Sequence, residues 1–178
     1  MVIPSQYAWL RDVGVLPRIV TEGLKLLGTL EVAGPGNNPT ILAWAKEVGL
    51  EKIYTADSIP WCGLFKRLIA HRAGKDCSAV TSPLSSLSWT KYGEAGGQPR
   101  LGDTLVFIRS GGGHVGVYIA EDKLCYHVLG GNQSDAVTIT RIQKSRLHAV
   151  RRQYAIGMPA SAKMYLVAGT GKISTNEA

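Results

Sequence analysis

Along the first half of the chain, apolar residues recur at helical spacing. Along the second half they fall into short runs, alternating or continuously apolar, of the kind strands require. A short helix is expected from near Ser5, and a second from about Pro17 to Leu27 with Val20, Leu24 and Leu27 on one face. The loop AGPGNNP follows. Asn38 can cap the next helix by accepting a first-turn N–H, and Pro39 suits the first helical position because it has no N–H to leave unpaired. Ile41, Trp44, Ala45 and Val48 continue at helical spacing, and Gly49 fits the left-handed residue that stops a helix. Residues 50–59 read as a loop.

The most informative helix covers about Trp61 to Ala73, with Gly74 ending it. Trp61, Leu64, Phe65, Leu68 and Ile69 sit at i, i+3, i+4, i+7 and i+8 and define one buried stripe. Pro60 is tolerated at its very start, and His71 and Arg72 fall in the last turn, where positive charge is favoured. Cys62 therefore lies in the first turn. Residues 75–100 read as loop with a short helix near Leu84 to Tyr92. Five strand candidates follow: the continuously apolar Leu105–Ile108, then HVGVYIA, KLCYHVL, AVTITRI and LHAVRRQY. Helices first and strands afterwards predict an α+β fold. No internal repeat is visible.

The 178 residues, 45% hydrophobic, suffice for one domain with a core, and a charged fraction of 19% argues against global disorder. A net charge of +7 draws the chain toward polyanions such as acidic cell-envelope polymers, or gives it only a mildly cationic surface. The densest basic cluster, Arg141, Lys144, Arg146, Arg151 and Arg152, is not interleaved with stackable aromatics, which argues against nucleic acid. Three cysteines without a C-x-x-C pattern read as free thiols in a reducing compartment during synthesis. No export signal and no apolar run of about 18 residues is seen, so cytoplasmic synthesis, no membrane span and a monomer are expected. His71, His114, His127 and His148 show no H-x3–5-H pair or E-x-x-H helix; P-loop, GxGxxG and G-x-S-x-G patterns are absent. No metal and no cofactor is expected.

Cys62 is the candidate nucleophile. A thiol at a helix start meets unpaired N–H groups and the positive end of the dipole, which favour thiolate and should lower its pKa; the alternative is a buried structural cysteine. Gly63 would leave the thiol approachable. His114 begins a strand after Gly111, Gly112 and Gly113. In HVGVYI, Val115, Val117 and Ile119 form the apolar set, while His114, Gly116 and Tyr118 share the other face. Gly116 marks close approach by a ligand or another element; the alternative for His114 is a solvent-facing residue. A cysteine nucleophile needs a base, and the base an orienting partner. Asn132, in VLGGNQSDAV, is the leading partner, with Gln133 and His127 as rivals; G-G-N-Q is also simply turn chemistry.

The ordered blocks DSIPWCGLF, GDTLVF, GGGHVGVY and HVLGGNQ resemble the NlpC-like and CHAP-like papain-fold cell-wall hydrolases, most closely a subgroup of small phage and prophage proteins. The resemblance covers about Thr29 to Tyr154. It implies a papain-like core in which a nucleophile helix packs on an antiparallel sheet of about five strands. The corresponding organisation is a helical extension over 1–28, a catalytic domain over 29–158 and a flexible tail over 159–178. Cys62 and His114 match the family's catalytic pair. The third polar residue matches Asn132 in the CHAP-like pattern and His127 in the NlpC-like one. Asp57 matches a recurrent acidic position and, with Trp61, His127 and Gln133, is expected to shape the substrate cleft. The implied activity is cleavage of a peptidoglycan stem-peptide amide, by an endopeptidase or a muramoyl-L-alanine amidase, through a thiol acyl-enzyme. Its setting would be the periplasm or cell wall, reached through a holin as an endolysin or through a secretion machine as a toxin. A thiol acyltransferase or amidase acting on another substrate, and an inactive wall-binding module, are the competing classes.

Overall fold

The helices start and stop where local chemistry dictates. In the computed structural model, which describes residues 3–154, 156–175 and 177, a 3-10 turn over Ser5–Arg11 precedes helix α1 (Arg18–Leu24). Helix α2 (Pro39–Glu47) begins with the Asn38 side chain accepting the Thr40 N–H at 2.8 Å and Pro39 in its first turn. Gly49 (φ +71°) lies just beyond its end, and Gly74 (φ +67°) just beyond helix α3 (Cys62–Arg72). A second 3-10 turn, Ser86–Lys91, occupies the position of the short helix expected there.

The strands are β1 (Glu94–Ala95), β2 (Thr104–Arg109), β3 (Gly112–Glu121), β4 (Cys125–Gly130), β5 (Thr138–Gln143), β6 (Leu147–Arg152) and β7 (Ile173–Ser174). They form one mixed sheet in the order β1-β6-β2-β3-β4-β5-β7, antiparallel throughout except where β7 joins β5 in parallel. The five longer strands are those the apolar runs predict. The two-residue strands at either edge leave no periodic signal and are found only by their backbone pairing.

The fold is α+β. Alternation along β3 sorts its side chains as expected: Val115, Val117 and Ile119 join the core with Leu64, Phe65 and Leu68 of α3. Tyr118 faces the other way, into a smaller cluster with Leu105, Phe107, Tyr126, Val128 and Ile142. Thr104–Phe107 of β2 are buried on both faces, which is why the run from Leu105 to Phe107 reads as continuously apolar; Ile108 at its end is exposed.

Two boundaries differ from expectation. The N-terminal region is no separate extension, because Ile3, Tyr7, Leu10, Ile19, Val20 and Leu24 belong to the same core as α3. The segment after residue 159, expected to be flexible, is fastened by backbone pairing. Leu101 N–H donates to Lys163 O, Glu121 N–H to Tyr165 O and Val167 N–H to Glu121 O, at 2.9–3.0 Å. Backbone bonds are blind to side-chain type, so the apolar pattern could not announce them. Among the described residues, no helix is long and apolar enough to cross a membrane.

Candidate active site

Cys62 is the first residue of α3, and its position is set by what surrounds the helix start. Trp61 is fully buried, donates its indole N–H to Glu31 at 2.9 Å and packs near Trp44. A Cβ on Gly131 would come within 2.6 Å of that indole, so the loop after β4 rests directly on it. Gly63 has a similar reason to be glycine. A Cβ there would lie 2.2 Å from Pro83 O and 2.7 Å from Leu84 O. Its role is close backbone packing rather than access to the thiol, and the packing brings residues 84–87 up as one wall of a cleft.

That cleft, of about 210 Å³, is lined by Cys62, His114, Arg109, Asn132 and Glu177, with residues 84–87 and 111–113 around them. Cys62 and His114 thus meet in one cavity. The Cys62 sulfur accepts from the backbone N–H of Val115, the residue after His114. Residual exposure of 7% at Cys62 and 1% at His114 marks a nearly sealed pair.

The imidazole has a defined partner. His114 Nε2 lies 3.0 Å from Gln133 Oε1. The Gln133 amide nitrogen is occupied in donating to Thr138 O (2.7 Å), Thr138 Oγ1 (3.1 Å) and Val128 O (3.2 Å), so its oxygen is the end that meets the ring. Nε2 therefore carries the proton, and Nδ1 keeps the lone pair of a base. Gly130 makes room: a Cβ there would lie 2.7 Å from Gln133 Oε1 and 3.0 Å from His114 Nε2.

Burial dominates the electrostatics. It pushes the Cys62 thiol up, although the N–H groups of Val115, Gly63 and Cys62 and the charge of Arg109 all pull toward thiolate. The lowered pKa expected from the helix start is outweighed by desolvation. Burial also pushes His114 down to about 4, against the opposing influence of Glu177 and Gln133. At neutral pH the pair is thiol and neutral imidazole.

Asn132 lines the cleft in a left-handed turn (φ +57°), but the imidazole's partner is its neighbour Gln133. His127 is not at the cleft. It pairs with Ala120, six residues from His114 along β3, or about 20 Å at strand rise. There it is fully buried between Tyr7 OH, at 2.7 Å from Nδ1, and Asp122 Oδ2, at 2.9 Å from Nε2. Asp57 is buried too, its Oδ2 accepting the N–H groups of Val32 (3.0 Å) and Asn38 (2.7 Å), so it staples the 32–38 loop. Trp61, expected at the cleft, is fully buried and anchors α3, and it is not among the residues that line the cleft. Gly116 is explained by another element, since a Cβ there would lie 2.3 Å from Val128 Cγ1 across the sheet.

Arg109 and Glu177 line the cleft without having been singled out from the sequence. Arg109 ends β2 just before the glycine turn, and its Nε reaches Gly113 O at 3.5 Å. Glu177 is held by Arg146 through two bonds of 2.7 and 2.6 Å. Arg146 stood out only as part of the basic cluster, and nothing in the sequence around Glu177 suggests a role. Among the described residues, no group of three His, Cys, Asp or Glu side chains is arranged to hold a metal ion.

No family model matches the chain, and neither the search of curated proteins nor that of solved structures found a match.

Proposed function

We propose that the protein is a cysteine hydrolase of papain-like design that cleaves an amide bond in the peptidoglycan stem peptide. The observation that carries this reading is one cleft shared by Cys62, at a helix start, and His114, whose Nε2 is bound to Gln133. The ordered motifs that resemble the NlpC-like and CHAP-like hydrolases support the substrate class and an endolysin-type role. The net charge of +7 suits a target rich in acidic polymers.

In this reading His114 Nδ1 takes the Cys62 proton as the sulfur attacks the carbonyl carbon. Proton transfer accompanies attack because both groups rest neutral. N–H groups at the start of α3 stabilise the developing oxyanion. The imidazolium then protonates the departing amine, and neutral His114 activates the water that releases the acyl group. Gln133 accepts from Nε2–H throughout and holds the ring in place, the position assigned to Asn in other thiol sites.

Incubation with purified peptidoglycan, followed by mass analysis of the fragments, tests this. Wild type should release fragments carrying one new amine per cut, and folded Cys62→Ala should release none. Intact walls after treatment with wild type, or equal cutting by Cys62→Ala, would overturn the reading. The fragment masses also distinguish an endopeptidase from a muramoyl-L-alanine amidase.

A further inference from the structure

Glu177 is a carboxylate buried in the cleft that holds the thiol and the imidazole. Its side chain is fully buried, while that of Arg146 retains 15% exposure. The pair is bidentate, the geometry in which a guanidinium recognises a carboxylate most strongly. Arg146 is itself anchored by donation to Ile108 O (3.2 Å) and Ser174 O (3.3 Å), so its guanidinium is held in place. A second cation, Arg109, lines the cavity beside Glu177.

Glu177 follows β7, two residues that pair with the β5 edge, and the Ser174 side chain also bonds the Glu177 carboxylate. With Glu177 in it, the cleft measures about 210 Å³, below the roughly 300–1,000 Å³ of sites that take small ligands. The Glu177 side chain takes up part of the space a peptide would need beside Cys62.

We propose that Arg146 is the docking point for a carboxylate of the substrate, and that Glu177 occupies it as an internal stand-in until an acidic peptide displaces it. The proposal deepens the hydrolase reading and rests on it for the word substrate. It names the substrate class as a peptide bearing a free carboxylate close to the scissile amide. An amidated peptide would lack the group that competes with Glu177. Removal of Glu177 would also readmit water to the cleft and relieve the desolvation that keeps Cys62 protonated.

The test reads Cys62 alone and needs no turnover. The alkylation rate of Cys62 by iodoacetamide is followed by peptide mapping, which separates it from the buried Cys77 and Cys125. Glu177→Gln should react at least about tenfold faster than wild type, because the buried bidentate pair no longer closes the cleft. N-acetylglutamate should slow that reaction more than N-acetylglutaminamide, which carries no carboxylate, does. Arg146→Gln should also react faster than wild type, but N-acetylglutamate should give it no protection. If Glu177→Gln fails to fold, Arg146→Gln carries the comparison.

Wild-type rates in both variants would overturn the proposal. So would equal protection by the two probes, or protection that persists in Arg146→Gln. Alkylation that follows the expected pattern in a protein that cuts no peptidoglycan would sink the hydrolase reading and leave the carboxylate site standing. With muropeptide substrates, Glu177→Gln should lower KM and Arg146→Gln should raise it.

Discussion

Gln133 shows how much can hang on one side chain. Three bonds fix its amide nitrogen, which turns its oxygen toward His114 and assigns the ring proton to Nε2. In Gln133→Ala the ring loses that constraint, and kcat of the proposed hydrolysis should fall by about 10- to 100-fold with little change in KM, as for other orienting partners. Gln133→Glu should restore orientation and, by placing a negative charge on Nε2–H, raise the His114 pKa from about 4. An NMR titration of His114 separates this from a simple loss of structure. A pKa unmoved by Gln133→Glu would show that the two side chains do not interact in solution.

At the scale of elements, α3 is buried more completely than its apolar stripe suggests. Cys62 through Lys66 and Leu68 through Ala70 are all buried. The sheet, α1, α2 and the Ser86–Lys91 turn surround the helix on several sides. Lys66 is the consequence. Its Nζ has no hydrogen-bond partner among the described residues and lies 4.5 Å from the Trp89 ring centroid and 4.2 Å from that of Tyr92. Burial lowers its pKa to about 7. The unfolded chain therefore binds more protons than the folded one between about pH 7 and 10.5, and stability should rise with pH across that window. Below pH 7 both forms are charged and the penalty is constant. Lys66→Met should remove the slope and stabilise the protein at pH 7 by about 2–4 kcal/mol. Urea denaturation at several pH values measures both effects. A slope unchanged in Lys66→Met would place its origin elsewhere.

Across the whole molecule, one buried network joins regions far apart in sequence. Tyr7 OH donates to His127 Nδ1, His127 Nε2 donates to Asp122 Oδ2, and Arg141 Nε meets the same oxygen at 2.8 Å. Arg141 also donates to Gly171 O at 2.7 Å, so the N-terminal turn, the sheet and the late segment share one fastening. Tyr7→Phe leaves His127 Nδ1 unsatisfied and should cost about 1–3 kcal/mol of stability. Because His127 lies about 20 Å along the sheet from His114, the proposed cutting of peptidoglycan should be unchanged under native conditions. A selective loss of activity in stable, folded Tyr7→Phe would contradict this separation.

The helices, the five longer strands and the two ends of the Cys62–His114 pair were legible because each leaves a local mark. Asn38 and Pro39 start a helix through the chemistry of its first turn, Gly74 ends one, and Val115, Val117 and Ile119 declare a buried face by alternation. Asn132 and Gln133 were not separable on those grounds. They are adjacent polar residues, and the turn they occupy, left-handed at Asn132, and the bonds that hold the Gln133 amide decide which one meets the ring. Asp57, Trp61 and His127 looked functional because polar or aromatic residues near a motif look alike whether they serve a cleft or a core.

The sequence by itself determined the α+β order, the capped helices, the cysteine at a helix start and the histidine at a strand start, since all depend on neighbours within a few positions. Only the tertiary structure decided that Gln133 orients His114, that His127 belongs to the core, and that Glu177 lines the cleft while paired with Arg146. Those outcomes depend on which distant backbones approach, and on how far burial outweighs local charge.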